Sequence, residues 1–489
     1  MGNHTEDQYF LALDQGTQST RAAVVRSDGR IVSIACETVG TKRLVDGRVE
    51  QSPEEILKSL RVTIAKVLEQ HGGMIQAAGM ATQRSSVVAW RRSTCEPLSP
   101  VISWQDTRGQ AFVESLSTAQ REQIQRLTGL PVSAHYGATK LRWLIEQEDV
   151  AALIKEGDCV VGPLASFLLA NLVAAEHLAE VDYANGGRMQ LMNLQQRCWD
   201  RELLELFGIP LTVLPTLRPN RFEYGHLKDT VVPFVLLQGD QTAAACGLVR
   251  DADSRTARVN VGTGAFILAE LEKGDLGGDS RMLRSIYHSD MERTKYLIEG
   301  TVNGAGAALN WAADQLGVAR QSIAAKLDQW LVVPDQPLIF INCVGGLGSP
   351  YWRPAGTSVQ ENVWVNLNGE YVADPEAETA MAAVAESIIF LLAVNLGCMQ
   401  GMGCEIERVS IGGGLSRSDA MCQRLADLTG VLVERGNVVE ATLLGVTAML
   451  RGGGEDGPAA SVETFTPRSS DDLRVRYRAF CALMNETDG

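Results

Sequence analysis

Asp14 and Asp240 each stand where an apolar run ends, among small hydrogen-bonding residues. In Leu11-Ala-Leu-Asp-Gln-Gly-Thr-Gln-Ser-Thr-Arg21, the apolar stretch that begins at Tyr9 meets Asp14. Gly16 then permits a tight turn, and Thr17, Gln18, Ser19 and Thr20 supply hydroxyl and amide groups before Arg21 opens a second apolar run. Small residues let backbone N–H groups approach an anion, hydroxyls add donors, and an acid at a strand end suits a hydrated divalent cation. The pattern fits a phosphate-and-metal turn, and a plain β-turn with Asp14 and Thr17 bonded to local backbone has the same composition. It is neither G-x-x-x-x-G-K-[ST] nor G-x-G-x-x-G. Much later, Gly239-Asp240-Gln241-Thr242 follows the strand-like run from Val231 to Leu237. A carboxylate with glycine before it has no steric cover and can take a proton from an alcohol as general base. As the N-cap of the helix that follows, it would only satisfy backbone donors.

The opening pattern recurs. Ala257 to Val261 reads as a strand, Gly262-Thr263-Gly264 as a turn, and Ala265 to Leu271 as a second strand. Two such units, one near the start of each half, imply an internal duplication whose turns could clamp one polyphosphate. Asn303 to Trp311 opens a helix with small residues on the side a ligand would approach. Gly412-Gly413-Gly414 lies between the strand at Arg408–Ile411 and the helix from Ala420, which permits close approach of a flat ligand or a phosphate. In the first half, a strand ends in Gln83-Arg84-Ser85-Ser86, and another runs into Trp104-Gln105-Asp106. Polar and aromatic groups at strand ends are where α/β proteins place ligands. Asp106 could equally cap the next helix.

The elements that must position these residues alternate. Asp28-Gly29 predicts a hairpin. Ser52-Pro53-Glu54-Glu55 predicts a helix start, with helical spacing from Ile56 to Gln70 and a buried strand from Met74 to Thr82. Strand, helix and strand in this order predict an α/β chain. Val160 to Leu178 reads as helical, Glu376 to Leu396 as a long helix, Asp251–Ser254 as a domain boundary and Gly452 to Ser470 as an irregular stretch. The Gly-rich Gly345–Ser349, followed by Tyr351-Trp352, is expected to pack near a site.

With 489 residues, 45% hydrophobic and 21% charged, the chain is long enough for two domains of ordinary globular composition. A net charge of −15 disfavours nucleic acid or an anionic membrane as partner. Ten cysteines without C-x-x-C spacing, and six histidines, argue against zinc or a disulfide framework and for reduced thiols in the cytoplasm. Met1 to Gln8 lacks a signal peptide's apolar core, Glu6 breaks the myristoylation pattern after Gly2, and the apolar runs at Leu164 to Ala175 and Ile388 to Leu396 are too short or interrupted to span a bilayer.

Asp14 to Arg21, Gln83-Arg84, Trp104-Gln105-Asp106, Gly239-Asp240-Gln241, Gly262-Thr263-Gly264 and Gly412-Gly413-Gly414, at these separations, resemble the FGGY family of carbohydrate kinases, nearest its glycerol kinase branch. The resemblance runs from residue 9 to about residue 450. It implies an α/β fold of two actin-like or hexokinase-like (ribonuclease H-like) domains flanking a catalytic cleft: 9–250 for the acceptor and first phosphate motif, 255–451 for the nucleotide, and a tail at 452–489. It implies ATP with Mg²⁺, a small polyol or sugar as partner, and a homo-oligomer, dimer or tetramer. By position it implies Asp240 as the catalytic base, and Arg84, Ser85, Trp104, Tyr136, Asp240, Gln241 and Phe266 around the acceptor. It implies Thr17, Gln18, Ser19, Arg21, Gly262, Thr263, Gly306, Asn310, Gly413, Gly414 and Ser418 around the nucleotide, with Asp14 and Asp240 near the metal. Ser85 stands where glycerol kinases place Glu, Gly137 departs from the first family signature, and the second signature is not distinct between Val363 and Glu386. A shorter, neutral Ser85 implies a larger or less selective pocket, open to a longer polyol or a ketopentose. A catalytically silent ATP- and sugar-binding regulator is the competing reading. A glycoside hydrolase using Asp106 and Asp240 leaves the Gly/Thr turns unexplained.

Overall fold

Three antiparallel strands open the chain: β1 (Tyr9–Gln15), β2 (Ser19–Arg26) and β3 (Ile31–Thr38), with Asp28-Gly29 at the second turn. The computed structural model describes residues 8–174, 179–248, 254–271, 281–332, 336–353, 355–356, 361–436, 440–452 and 462–486. Ser52 caps helix α1 (Pro53–His71), its side chain accepting from the Glu55 N–H, and Ile56, Leu60, Ile64 and Val67 bury one face of that helix in the core that β1 and β2 share.

The rest of the first sheet comes from β4 (Ile75–Thr82), β5 (Val173–Ala174), β6 (Arg221–Leu227) and β7 (Pro233–Gly239), in the order β5-β6-β7-β4-β1-β2-β3. β4 runs parallel to β1, and β7 parallel to β4. A second seven-stranded sheet repeats the plan with β8 (Thr256–Val261), β9 (Ala265–Leu271), β10 (Leu283–Ser289), β11 (Thr294–Val302), β12 (Arg408–Gly412), β13 (Leu432–Gly436) and β14 (Val462–Phe465), in the order β10-β11-β9-β8-β12-β13-β14. The series β3-β2-β1-β4-β7 and β11-β9-β8-β12-β13 match strand for strand: two antiparallel pairings, then two parallel ones. This is the duplicated ribonuclease H-like arrangement expected from the two strand–turn–strand units.

Register decides what meets. Gln15 and Gly239 both pair with Thr82, so the carboxyl ends of β1, β4 and β7 lie level. Asn260 pairs with Gly412, which sets the turns after β8 and β12 side by side. A smaller sheet, in the order 42–43, 49–51, 101–102, 87–91 and 159–163, projects from the first half and carries the Trp104 loop, with helix α2 (Gly137–Ile145) packed on it.

Helices join the halves. α3 (Asp240–Gly247) follows β7 directly, and α4 (Gly306–Leu316) follows β11 after a short turn. α5 (Ala377–Gly401) is apolar and long enough to cross a membrane, yet 83% of its most apolar window is buried inside the second half, which makes it a core helix. α6 (Asp419–Thr429) follows the turn after β12. α7 (Ala441–Leu450) crosses back: Leu443, Val446, Met449 and Leu450 pack with Phe10, Ala12, Ala81 and Leu236 of the first sheet. α3 and α7 touch backbone to backbone at Gly247 and Gly445. A Cβ on Gly445 would lie 2.6 Å from the Ala243 carbonyl carbon and 2.9 Å from the Gly247 nitrogen.

Three expectations change. Val160 to Leu178 is not one helix: Cys159–Pro163 is a strand and Leu164–Leu172 a helix, because β-branched Val160-Val161 favours the sheet and Pro163 interrupts the chain before Leu164. Asp106 caps no helix. Its carboxylate accepts from the Val49 N–H at 2.7 Å and from the Arg108 backbone and guanidinium. Within the stretch from 452 to 470 expected to be irregular, Val462–Phe465 forms β14, and helix α8 (Asp471–Glu486) beyond it buries Leu473, Phe480 and Met484 in the second core. Residues 453–461, and 251–253 of the expected Asp251–Ser254 boundary, lie outside the described residues.

Candidate active site

The level ends of β1, β4 and β7 bring Asp14, Gln83-Arg84 and Asp240 together at one edge of the first sheet. Asp14 is buried. Burial first, then the Asp240 and Glu440 charges, push its carboxyl up to about 7, against the pull of Arg21. Burial also raises Asp240, opposed by Arg84, by the Gln241 N–H donated to Oδ1 at 2.7 Å, and by Arg188. Both carboxylates are hard oxygen donors, and the Asp240 charge that hinders the ionisation of Asp14 is one a divalent cation would offset. Mg²⁺ needs only one or two carboxylates when phosphates and waters supply the rest, so this pair fits it. Among the described residues no group of three or more acids, histidines or cysteines could hold a metal on its own.

The first turn is tied tightly. The Gly16 N–H donates to the Ser19 carbonyl at 2.9 Å, the Gln18 carbonyl accepts from Val39, and Gln51 Nε2 donates to the Thr17 carbonyl at 2.8 Å. The Thr17 hydroxyl accepts from the Trp104 indole N–H at 2.9 Å, which joins the first turn to the Trp104 loop. Arg21 meets acids from both halves. Its Nη1 lies 3.4 Å from Glu440 Oε2, just before α7, and 3.8 Å from Asp14 Oδ2.

Around Asp240 stand residues expected to bind the acceptor. Arg84 Nε is 3.8 Å from Asp240 Oδ1, and Nη2 donates to Gln241 Oε1. Trp104, His135 and Tyr136 form an edge-to-face series with ring centroids 5.4 and 5.1 Å apart. Ser85 holds φ +64°, a conformation side chains rarely adopt, and its buried hydroxyl has no hydrogen-bond partner among the described residues. Behind it, the fully buried Lys140 ammonium donates to the carbonyls of Ser85 (3.1 Å) and His135 (2.6 Å), and burial lowers it to about 7. Phe266 stands opposite on β9. It shares a cavity of ≈200 Å³ with Asp240, Gln241, Asn260, Leu268 and Thr442, lined from both halves.

On the second half, Gly306 N–H donates to the Gly262 carbonyl and Ala307 N–H to the Thr263 carbonyl, both at 2.9 Å, which seats α4 on the turn after β8. Gly413 has φ +94°, and a Cβ there would come within 2.8 Å of the Val261 carbonyl carbon. Gly414, beside it, faces open space. That is room for a flat ligand. Asn310 sits one turn into α4, half-buried. Ser418 is committed elsewhere: it caps α6, accepting from the Met421 N–H, and donates to Asp328 Oδ1 at 2.6 Å. The Gly345–Ser349 loop buttresses this shelf. The Gly345 carbonyl accepts from Asn303, and Ser349 Oγ accepts from the Thr301 N–H.

Four neighbours were not singled out from the sequence: Arg188, His135, Glu440 and Glu299. Glu299 is a lone acid in the apolar run Tyr296 to Gly300, the one signal that could have marked it. It is 2% exposed. Burial would raise its carboxyl, but the guanidiniums of Arg188 and Arg84 hold it at about 2.

Two matching sheets, each with a Gly/Thr turn, and an acid at a strand end beside Arg84 fit a phosphotransferase acting on an alcohol group. The chain belongs to the FGGY family of carbohydrate kinases: the family's N-terminal domain model matches residues 9–247 and its C-terminal domain model residues 257–450. It is 30% identical over 449 residues to a glycerol kinase of Burkholderia ambifaria, covering 90% of this chain and 88% of that one. Its fold matches that of Plasmodium falciparum glycerol kinase with ADP (TM-score 0.87, 23% identity, 98% of each chain) and that of a ligand-bound xylulose kinase from Lactobacillus acidophilus (TM-score 0.83, 20% identity, 99% of each chain). The protein is an ATP-dependent kinase of a small sugar or polyol.

Proposed function

We propose that the acceptor is a small polyol of the glycerol type, or a somewhat longer polyol or ketopentose, and that Asp240 is the base. The Asp240 carboxylate takes the proton of a primary hydroxyl. That oxygen attacks the γ-phosphorus in line as the bond to the ADP oxygen breaks. The turns at Thr17–Ser19 and Gly262–Thr263 offer donors to the transferring group from opposite walls, with Arg21 beside the first. Asp14 and Asp240 would hold Mg²⁺, which supplies charge neutralisation at the β- and γ-phosphates. Gly306, Asn310, Gly413 and Gly414 would carry the nucleotide, with Ser418 shaping the adenosine loop through its cap. Arg84, Trp104, Tyr136, Gln241 and Phe266 would line the acceptor pocket. The domains we assign are 9–250 for the acceptor and 255–451 for the nucleotide, with α7 returning to the first sheet and 452–489 completing the second half.

The observation that carries this reading is the common register of Gln15, Thr82 and Gly239, which delivers Asp14, Arg84 and Asp240 to one edge of the first sheet, beside the first turn. Ser85 favours the longer acceptors: a neutral hydroxyl with no partner leaves a polar atom free for a substrate oxygen. A silent regulatory role is disfavoured, because a kinase that had lost its activity would be free to lose Asp14, Thr17, Asp240 or Thr263, and all four are present. We also propose a cytoplasmic homo-oligomer, dimer or tetramer, that binds neither nucleic acid nor membrane. Net charge −15 speaks against nucleic acid and an anionic membrane, ten cysteines without a disulfide fit the cytoplasm, and the homo-oligomer rests on the family resemblance alone.

The test is acceptor-dependent ADP release with glycerol, erythritol, pentitols and ketopentoses. One or more should stimulate turnover strongly. ATP binding without stimulation by any of them would sink the proposal.

A further inference from the structure

Glu299 belongs to the second half, but its carboxylate is spent in the first. From β11 it reaches Arg84, with Oε2 3.3 Å from Nη1 and Oε1 3.4 Å from Nη2, and it accepts from Arg188. The Arg188 charge in turn opposes the rise that burial imposes on the Tyr136 hydroxyl. The same Arg84 guanidinium donates to Gln241 and lies beside Asp240. One buried carboxylate thus fixes both arginines of the acceptor pocket, and through Arg84 the edge presented to the base. The strand that carries it continues, within seven residues, into the Asn303–Gly306 turn, whose Gly306 N–H rests on the Gly262 carbonyl of the nucleotide shelf. On the way, the Thr301 N–H is gripped by Ser349 Oγ at 2.6 Å, and Ser349 Oγ donates to Asn395 of α5, so this segment is anchored to the second core.

We propose that Glu299 is a positioning residue that couples the two substrates: it sets Arg84 against Asp240 and Gln241 and transmits acceptor occupancy to the nucleotide shelf. The proposal rests on the kinase reading above. An acceptor hydroxyl that bonds Arg84 in the arrangement Glu299 imposes favours the halves being held together. The shelf gains from the same closure. By linkage, each substrate then tightens the other by one common factor.

Binding of Mg·ADP to the full chain, measured by calorimetry with and without saturating glycerol or D-xylulose (whichever the wild type turns over), reads that factor. In the wild type the acceptor should tighten ADP about tenfold, within the usual range of such coupling. Glu299→Gln should reduce the effect to within about twofold while leaving ADP affinity without acceptor unchanged. Because Glu299→Gln strands two buried cations, the Arg188→Gln/Glu299→Gln pair, which restores the charge balance, is measured beside it and should behave alike. Full coupling in both variants overturns the proposal and leaves the kinase reading intact, as does a wild type that turns over its acceptor without coupling. Loss of ADP affinity in the absence of acceptor shows a merely structural role and also overturns it. A wild type that turns over no acceptor fails the kinase reading, and the proposal falls with it.

Discussion

Replacing Asp240 with Asn removes one negative charge and almost nothing else. Asn keeps the volume and keeps an Oδ1 that accepts the Gln241 N–H, now at 2.7 Å, so the start of α3 should hold. What disappears is the ability to take a proton. General base catalysis contributes about 10²- to 10⁴-fold, equivalent to roughly 3–5 kcal/mol of barrier. Burial raises the Asp240 carboxyl, which brings its proton affinity nearer that required at neutral pH, and the Arg84 guanidinium 3.8 Å away opposes that rise. The loss should therefore lie well inside that range rather than at its foot. A base must be unprotonated, so wild-type turnover should rise with pH through the Asp240 ionisation, and the variant should lack that limb. The Asp240 charge is also among the causes that raise Asp14, so the variant relieves Asp14; because Asp240 is also proposed to hold Mg²⁺, ADP affinity is compared without the metal, where it should be unchanged. The assay is coupled ADP release at saturating acceptor and ATP, with ADP affinity by calorimetry. Turnover within about tenfold of wild type, with binding intact, would show that the proton leaves by another route.

Two further perturbations test the framework. The Lys140 ammonium has its pKa lowered from 10.5 to about 7, so between those values the unfolded chain binds a proton that the folded one does not, and stability rises with pH across that window. Relative to Lys140→Met, the wild type should gain up to about 5 kcal/mol from pH 7 to 10.5, read from urea unfolding at several pH values, and parallel curves would refute a buried neutral lysine. Gly445→Ala places a Cβ 2.6 Å from the Ala243 carbonyl carbon, so α3 and α7 must separate. This should cost about 1–3 kcal/mol and lower turnover by shifting Asp240, and a neutral result would mean that the helix crossing is looser than described.

What could be read from residues alone follows from where each contact originates. Asp14, Asp240 and the two Gly/Thr turns were legible because each sits at a strand end marked locally, by an apolar run that stops at glycine and hydroxyl residues. The repeat of that mark predicted the matching sheets. The register of β1, β4 and β7 was not marked, but any parallel pairing of three buried strands brings their ends to one edge. The partners of Arg21 and Arg84 were illegible for another reason. Glu440 and Glu299 lie 419 and 215 residues away, on the opposite half, and no local period encodes how two separately folded sheets face each other. Ser418 shows the converse limit. A serine beside a glycine turn and before a helix fits a ligand contact and a cap equally well, and it is Asp328, from a distant helix, that commits its hydroxyl. The cleft is thus written twice, once in strand ends that any reader of periodicity finds, and once in acids sent across from the other half. The second set decides how the arginines of the first set point, and there the coupling of the two substrates has to be sought.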